Sequence, residues 1–406
     1  MGDQGSRRVR KRRVFYVPGY DPFPPRRYRE FYRKEGAAQA AISGYSIDMQ
    51  AEAGSKGYVW RVETVIGGAR TEARVQVLVW SDLVQASMKR GVLGTYLLLA
   101  RTLWTFLATG AIAAMVRLRP GTMLAAAWPA VMLTGQLLVA LLAGGLVWWA
   151  VVSLMPGAWG HLPGPVLGAL AVAAVLQAFR RMDTRFFAYY LLYDFAQVAA
   201  HRGAYGPALQ ARLDGFADQV AQALHEDCDE VLVVGHSSGA ALAVSLAAAV
   251  ERRGLPQGGA RLALLTLGQA IPMQAFLPDA RRLRADLRQL AASRSVAWVD
   301  VTAKADGVSF WLTDPPGVCG VAPPDQTGPL VFSAAFSETL AAEKWAAIKR
   351  QFFRLHIQYL AAFEHPRDYD YFQITAGPVL LSDRYRDRAP SPSREARAYS
   401  PHRSLP

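Results

Sequence analysis

Apolar positions follow three different patterns along this chain. Near the start they come in short runs between turns. Residues 14–17 form a continuous apolar run that stops at Pro18-Gly19-Tyr20-Asp21-Pro22, which predicts a buried strand ending in a turn. Residues 25–41 are polar and basic and predict a helix. Residues 58–65 and 72–80 are β-branched and aromatic with Gly67-Gly68 between them, which predicts a hairpin, or an edge strand beside a central one.

The second pattern is a block of long apolar runs. From residue 93 to residue 179 no acidic residue occurs. Residues 93–116 carry Arg101 near their middle and basic residues at both ends. Residues 124–152 carry no charge and are long enough to span a bilayer with tilt. Residues 165–179 are close to the short limit for a span and end at Arg180-Arg181. A buried helix could imitate any one of these runs. Three in succession, with Trp148 and Trp149 near one end of the second, predict a membrane insertion over residues 91–181. The loop 156–165 lacks Lys and Arg and is expected outside, with Arg117, Arg119, Arg180 and Arg181 in the cytoplasm. A charge at the bilayer centre is costly, so residues 93–116 are expected to lie at the interface. Two crossings are expected, at about residues 127–152 and 163–179. An even number also keeps the flanking segments, 13–90 and 182–385, on one side as a single domain.

The third pattern alternates buried strands with amphipathic helices. Helices are expected over 207–224, 239–252 and 279–292, and strands over 230–235, 262–267 and 296–301. Such alternation predicts an α/β class with a mostly parallel sheet flanked by helices. Residues 386–406 are rich in Arg, Ser and Pro and are expected to be disordered.

Composition narrows the class further. A hydrophobic content of 52% excludes a disordered chain. The net charge of +13 sits in the first residues, at the edges of the apolar block and in the last segment, which suits a membrane surface better than a nucleic-acid groove. No nucleic-acid partner is expected. Residues 1–12 read as a basic tail without a secretory signal, and Gly2 to Ser6 fit a myristoylation pattern weakly. Cys228 and Cys319 are far apart and without metal-ligand spacing, so neither a disulfide framework nor a metal is expected.

The sharpest chemical signal is Val231-Leu232-Val233-Val234-Gly235-His236-Ser237-Ser238-Gly239. A short apolar strand runs into Gly-x-Ser-x-Gly, and a helix of small residues follows at once. Serine on such a tight turn presents Oγ at the carboxyl end of the sheet, and the flanking glycines avoid collision with neighbouring strand and helix. The plain alternative is a glycine-rich turn holding an anion at a helix N-terminus. In these residues the sequence resembles the α/β-hydrolase superfamily, and its lipase-like and esterase-like members in particular, over about residues 13–85 and 185–380.

That resemblance implies an order of serine, acid and histidine along the chain. It places the acid after the strand 296–301, where Asp306 is the candidate and Asp300 and Asp314 the alternatives. The base then comes from His356, His365 or His402. His402 lies in the expected tail and His365 in a polar stretch, which favours His356 among its apolar neighbours. Histidine suits the role because its ordinary pKa lets it take and return a proton near neutrality. Ser238 N–H is expected to supply one oxyanion donor. The other is expected from Tyr20, with Gly19 as the alternative, because Pro18 stands where the family often has His-Gly and proline donates no N–H. His236 is expected to pack rather than act as base.

The activity implied is serine-dependent cleavage of a carboxylic ester of a lipid or other hydrophobic acyl group at the cytoplasmic membrane, with the catalytic domain facing the cytoplasm and no cofactor. Three rivals are an acyltransferase, a silent hydrolase fold serving as a membrane scaffold, and a transport component. Two crossings and the single intramembrane charge of Arg101 speak against the last. Oligomeric state and acyl chain are not written in these residues.

Overall fold

The short runs at the start of the chain and those after the apolar block interleave in one sheet. A computed structural model describes residues 8–22, 24–52, 58–155, 157 and 161–406. Its strands are β1 (Lys11–Val17), β2 (Ser46–Ala51), β3 (Val59–Ile66), β4 (Ala69–Val77), β5 (Glu230–His236), β6 (Arg261–Leu267), β7 (Ala297–Thr302) and β8 (Leu330–Ser333), in the order β2-β3-β4-β1-β5-β6-β7-β8. From β4 to β8 all neighbours are parallel, and the antiparallel pairs are β2–β3 and β3–β4. A mostly parallel eight-stranded sheet flanked by helices is an α/β fold. β2 and β8 were not expected, because β2 is half exposed and contains Asp48 and β8 is only four residues long.

The central strands read as unbroken apolar runs because both faces are covered. Phe15, Val17, Val231 and Val233 point to a core shared with helices Pro207–Ala223, Gly239–Arg252 and Arg281–Ala292. Val14, Tyr16, Leu232 and Val234 point to the opposite core, which takes Tyr32, Tyr359 and Phe372 from flanking helices. The expected basic tail is partly inside the protein. Arg12 lies in β1 with its side chain buried against Glu230 at 2.6 Å, and also donates to the carbonyls of Gly377 and Val379. A buried ion pair survives only with its remaining donors and acceptors satisfied, and Glu230 meets this by accepting from Leu381 N–H. The myristoylation pattern falls outside the described residues.

The insertion between β4 and β5 is helical. Residues 93–116 are not one helix. Val92–Ala108 and Ala111–Leu118 are separated at Gly110, whose φ of 72° is left-handed and ends the first helix. Pro120–Leu154 and Pro163–Arg181 are long and apolar enough to cross a membrane. They cross closely: a Cβ on Gly144 would lie 2.7 Å from the Gly168 carbonyl oxygen, and one on Gly168 would lie 2.8 Å from that of Gly144. Their outer surfaces expose Leu138, Leu142, Leu146 and Trp149.

The insertion docks on the catalytic half through its basic edge. Arg119 donates to the carbonyls of Trp311 and Leu312 and its guanidinium lies 3.9 Å from the centre of the Trp311 ring, while Thr122 donates to the Ser309 carbonyl. The final residues, expected to be disordered, are ordered by the same means. Ser391 N–H donates to Val331, Glu395 bridges Thr313, and Tyr399 and Ser400 N–H donate to Val318. Arg284 inside the fold donates to the Ser404 carbonyl. Composition misread this segment because its backbone, rather than an apolar face, makes the attachment.

Candidate active site

β5 ends against β1 and β6 in a turn that no ordinary side chain could enter. A Cβ on Gly239 would lie 2.4 Å from the Pro18 carbonyl oxygen, and one on Gly235 would lie 2.5 Å from Cβ of Ala243. Ser237 between them has φ of 59°, in the left-handed region that costs a non-glycine residue about 1–3 kcal/mol. The strain is held by backbone bonds: Ser237 N–H donates to Leu267, and its carbonyl accepts from Ala240 and Ala270. The helix Gly239–Arg252 starts immediately after, so its positive end faces the turn.

Asp306 and His356 meet across 50 residues of chain. His356 Nδ1 lies 2.8 Å from Asp306 Oδ2, and the carboxylate also accepts from Val308 N–H and the Tyr359 hydroxyl, each at 3.0 Å. Burial alone would raise the Asp306 pKa. The His356 charge and these three bonds outweigh burial and hold it below the usual carboxylate range. An ionised Asp306 makes Nδ1 the protonated nitrogen and leaves Nε2 as an acceptor. Nε2 is buried without a hydrogen-bond partner, and its ring lines a cavity of about 250 Å³ that Ser237 also lines. No hydrogen bond joins Ser237 Oγ to His356 Nε2 in this conformation.

His236 has a definite task. Its Nε2 donates to the His356 carbonyl at 2.8 Å, and its ring lies 4.7 Å from the His356 ring. Burial and the neighbouring His356 push its pKa down to about 3, so it stays neutral and cannot repel a charged His356. The alternative residues are occupied elsewhere. Asp300 accepts from Thr266 within the sheet and Asp314 caps the helix Pro315–Val318, while His365 is exposed. His402 Nε2 bonds the Thr109 carbonyl.

The turn after β1 lies directly on the serine turn. A Cβ on Gly19 would lie 3.1 Å from Ser237 Cβ and 3.3 Å from Ser238 Oγ. Tyr20 N–H donates to Ser238 Oγ at 2.9 Å, and Trp80 Nε1 donates to the Pro18 carbonyl. Asp194, a residue sequence reasoning passed over, lines one cavity with Ser238 and others with Ser237. Its signal was present: Asp194 is the one acidic residue in the aromatic, apolar helix Ala188–Ala200.

A second cavity of about 290 Å³ also opens on Ser237. Its walls come from the insertion helices, the helix Ala188–Ala200 and the segment around Phe310, and all are apolar except Thr102, Thr122, Asp194 and Ser237 itself. Among the described residues no group of His, Cys, Asp and Glu is placed to hold a metal ion.

A strained serine after a central parallel strand, sharing a cavity with a carboxylate-bound histidine, is similar to the arrangement that α/β-hydrolases use. Residues 172–288 match the family described as lipase (class 3), which supports a lipase- or esterase-like hydrolase. The match takes in the helix Ala188–Ala200, β5 and the serine turn; Asp306 and His356 lie beyond it. No curated protein and no solved structure matches the chain.

Proposed function

We propose that the chain is a membrane-anchored serine esterase that cleaves a carboxylic ester of a lipid or similar hydrophobic acyl compound. His356, oriented by Asp306, takes the proton from Ser237 Oγ as the oxygen attacks the ester carbonyl. The tetrahedral oxyanion rests on the N–H groups of Ser238 and Tyr20. His356 then gives its proton to the leaving alcohol, and water repeats the sequence on the acyl-enzyme. The carrying observation is the His356–Asp306 pair, buried at the rim of a cavity that Ser237 shares.

An apolar chamber opening on the same serine supports an acyl substrate over a polar one. The topology supports a membrane anchor. Strands from before and after the insertion are neighbours in one sheet, β4-β1-β5, so both halves lie on one side and crossings come in pairs. Two apolar helices satisfy that condition. A cytoplasmic site follows from the basic residues that flank them.

A fluorophosphonate probe tests the reading on the full chain in detergent. Wild type should take up one label at Ser237. Ser237→Ala should take up none and lose hydrolysis of a medium-chain p-nitrophenyl ester by roughly 10⁴-fold or more. Equal labelling of the variant ends the proposal.

A further inference from the structure

Tyr20 carries the expected second oxyanion donor, and its backbone is held on both sides: its N–H by Ser238 Oγ, and its carbonyl, in the next peptide unit, from the helix Ala188–Ala200. Tyr190 donates its hydroxyl to the Tyr20 carbonyl. One turn later Asp194 lines a cavity together with Ser238, whose Oγ accepts the Tyr20 N–H at 2.9 Å. Residues four apart on a helix share a face, so both side chains are presented toward the Tyr20–Ser238 contact. Burial pushes the Asp194 carboxyl up to about 7, against the opposing effects of Ser238 and the His356 charge.

We infer that Tyr190 and Asp194 are positioning residues that hold the Tyr20 and Ser238 N–H groups as an oxyanion hole, and that the helix bearing them ties this hole to the acyl chamber. Leu191, Leu192 and Phe195 of the same helix form part of the chamber wall, and most of the rest belongs to the insertion, with Ala270, Met273, Val308 and Phe310 closing it beside Ser237. An acyl chain filling the chamber therefore presses on the element that aims the oxyanion donors. Remote binding is thereby converted into stabilisation at the reacting carbonyl. The inference rests on the serine-esterase reading above, and it concerns residues that touch neither the reacting oxygen nor the proton in transit.

The test compares two inhibitors of matched chain length on the full chain in detergent. A trifluoromethyl ketone adds Ser237 Oγ to its carbonyl and carries an oxyanion; the corresponding ether fills the chamber with no oxyanion. Tyr190→Phe, Asp194→Ala and Ser238→Ala should each weaken the ketone by between about 10- and 100-fold, with kcat falling in step. The ether affinity and KM should stay at their wild-type values, and Asp194→Asn, which keeps an acceptor for Ser238, should regain most of the loss. Three results overturn the inference: unchanged ketone affinity in Tyr190→Phe and Asp194→Ala, equal loss for both inhibitors, or tighter ketone binding in Ser238→Ala, which would mean that the hydroxyl blocks the Tyr20 N–H. Tyr190→Phe removes a single oxygen and keeps the question answerable should Asp194→Ala fold poorly. Wild type that neither labels nor hydrolyses the ester defeats the esterase reading instead.

Discussion

Two helical stretches of this chain, residues 239–250 and Trp128–Leu154, carry no charge and are covered in opposite ways. Gly239–Arg252, behind the nucleophile, buries nearly every residue from Gly239 to Val250. Trp128–Leu154, in the insertion, buries only Pro129, Leu133, Gln136, Ala140 and Gly144, and leaves Leu142 69% exposed. A helix apolar all round must be surrounded by something apolar. In the first case the sheet and neighbouring helices provide it; in the second the protein does not, which is the condition for lipid contact. The side chains differ to match. The buried helix is built from alanines that let β5 approach closely, whereas the exposed one presents leucines and tryptophans outward and places Gly144 at the crossing with Pro163–Arg181.

The largest expected contrast comes from deleting the same atoms in both settings. Leu232 in β5 is fully buried, so Leu232→Ala should cost about 2–5 kcal/mol of stability. Leu142→Ala should change the unfolding midpoint in detergent by under about 0.5 kcal/mol. Comparable losses at both positions would mean that the outer face of the insertion packs against protein. Next in size is the burial of a charge in lipid. Leu142→Arg near the middle of the span should cost about 2.5–3.5 kcal/mol of insertion free energy and shift the chain out of the carbonate-resistant membrane fraction. If Leu142→Arg instead yields a soluble, labelled enzyme with unchanged sedimentation, the lipid assignment fails.

A glycine pair sharpens the comparison further. Gly239→Ala would push a methyl group into the Pro18 backbone and should cost about 1–3 kcal/mol, together with most of the fluorophosphonate labelling. Gly145→Ala has no atom within 4 Å to meet and should leave both properties unchanged. Loss of labelling in Gly145→Ala would show that the insertion is coupled to the site through contacts other than the Gly144–Gly168 crossing.

The same contrast explains what was legible in the sequence. The strand β5, the serine turn and the helix after it announce themselves because local sterics dictate the residue types: Gly235 and Gly239 have no room for a Cβ. The two long apolar helices were equally legible from length and lack of charge. The break at Gly110 was not, since a glycine inside an apolar run carries no sign of the φ it adopts. The tail after residue 385 was misread because its attachments are backbone hydrogen bonds, which leave no mark on composition. Asp306 and His356 needed an expected chain order to single them out, because 50 residues separate partners that only the fold brings together. Asp194 required knowing that the helix after the insertion turns its acidic residue toward the serine turn.

Asp194 stands at the seam between the two regions, and its titration supplies the smallest expected effect. Asp194 is partly exposed where it opens on the cavities, and the groups around its carboxyl are the hydroxyls of Ser238, Tyr20 and Tyr190 and the imidazole of His356. A folded-state pKa raised to about 7 from 3.8 means that the neutral form is the favoured one inside the protein. The associated stability is fully present below the unfolded-state pKa and is lost as pH rises through about 7. Asp194→Asn has nothing to ionise, so its stability relative to wild type should climb between pH 4 and pH 7 and level off above. The cavities admit water and screen the charge, which holds the expected difference to the order of 1 kcal/mol. Unfolding midpoints of both proteins at pH 5 and pH 8 measure it, and the raised pKas of other buried carboxyls, such as Asp300, cancel in the subtraction. A constant offset between wild type and variant would mean that Asp194 is already ionised at pH 5. The seam would then be wetter than its apolar lining implies, and a bound acyl chain would have to displace that water before it could press on the helix that carries Tyr190 and Asp194.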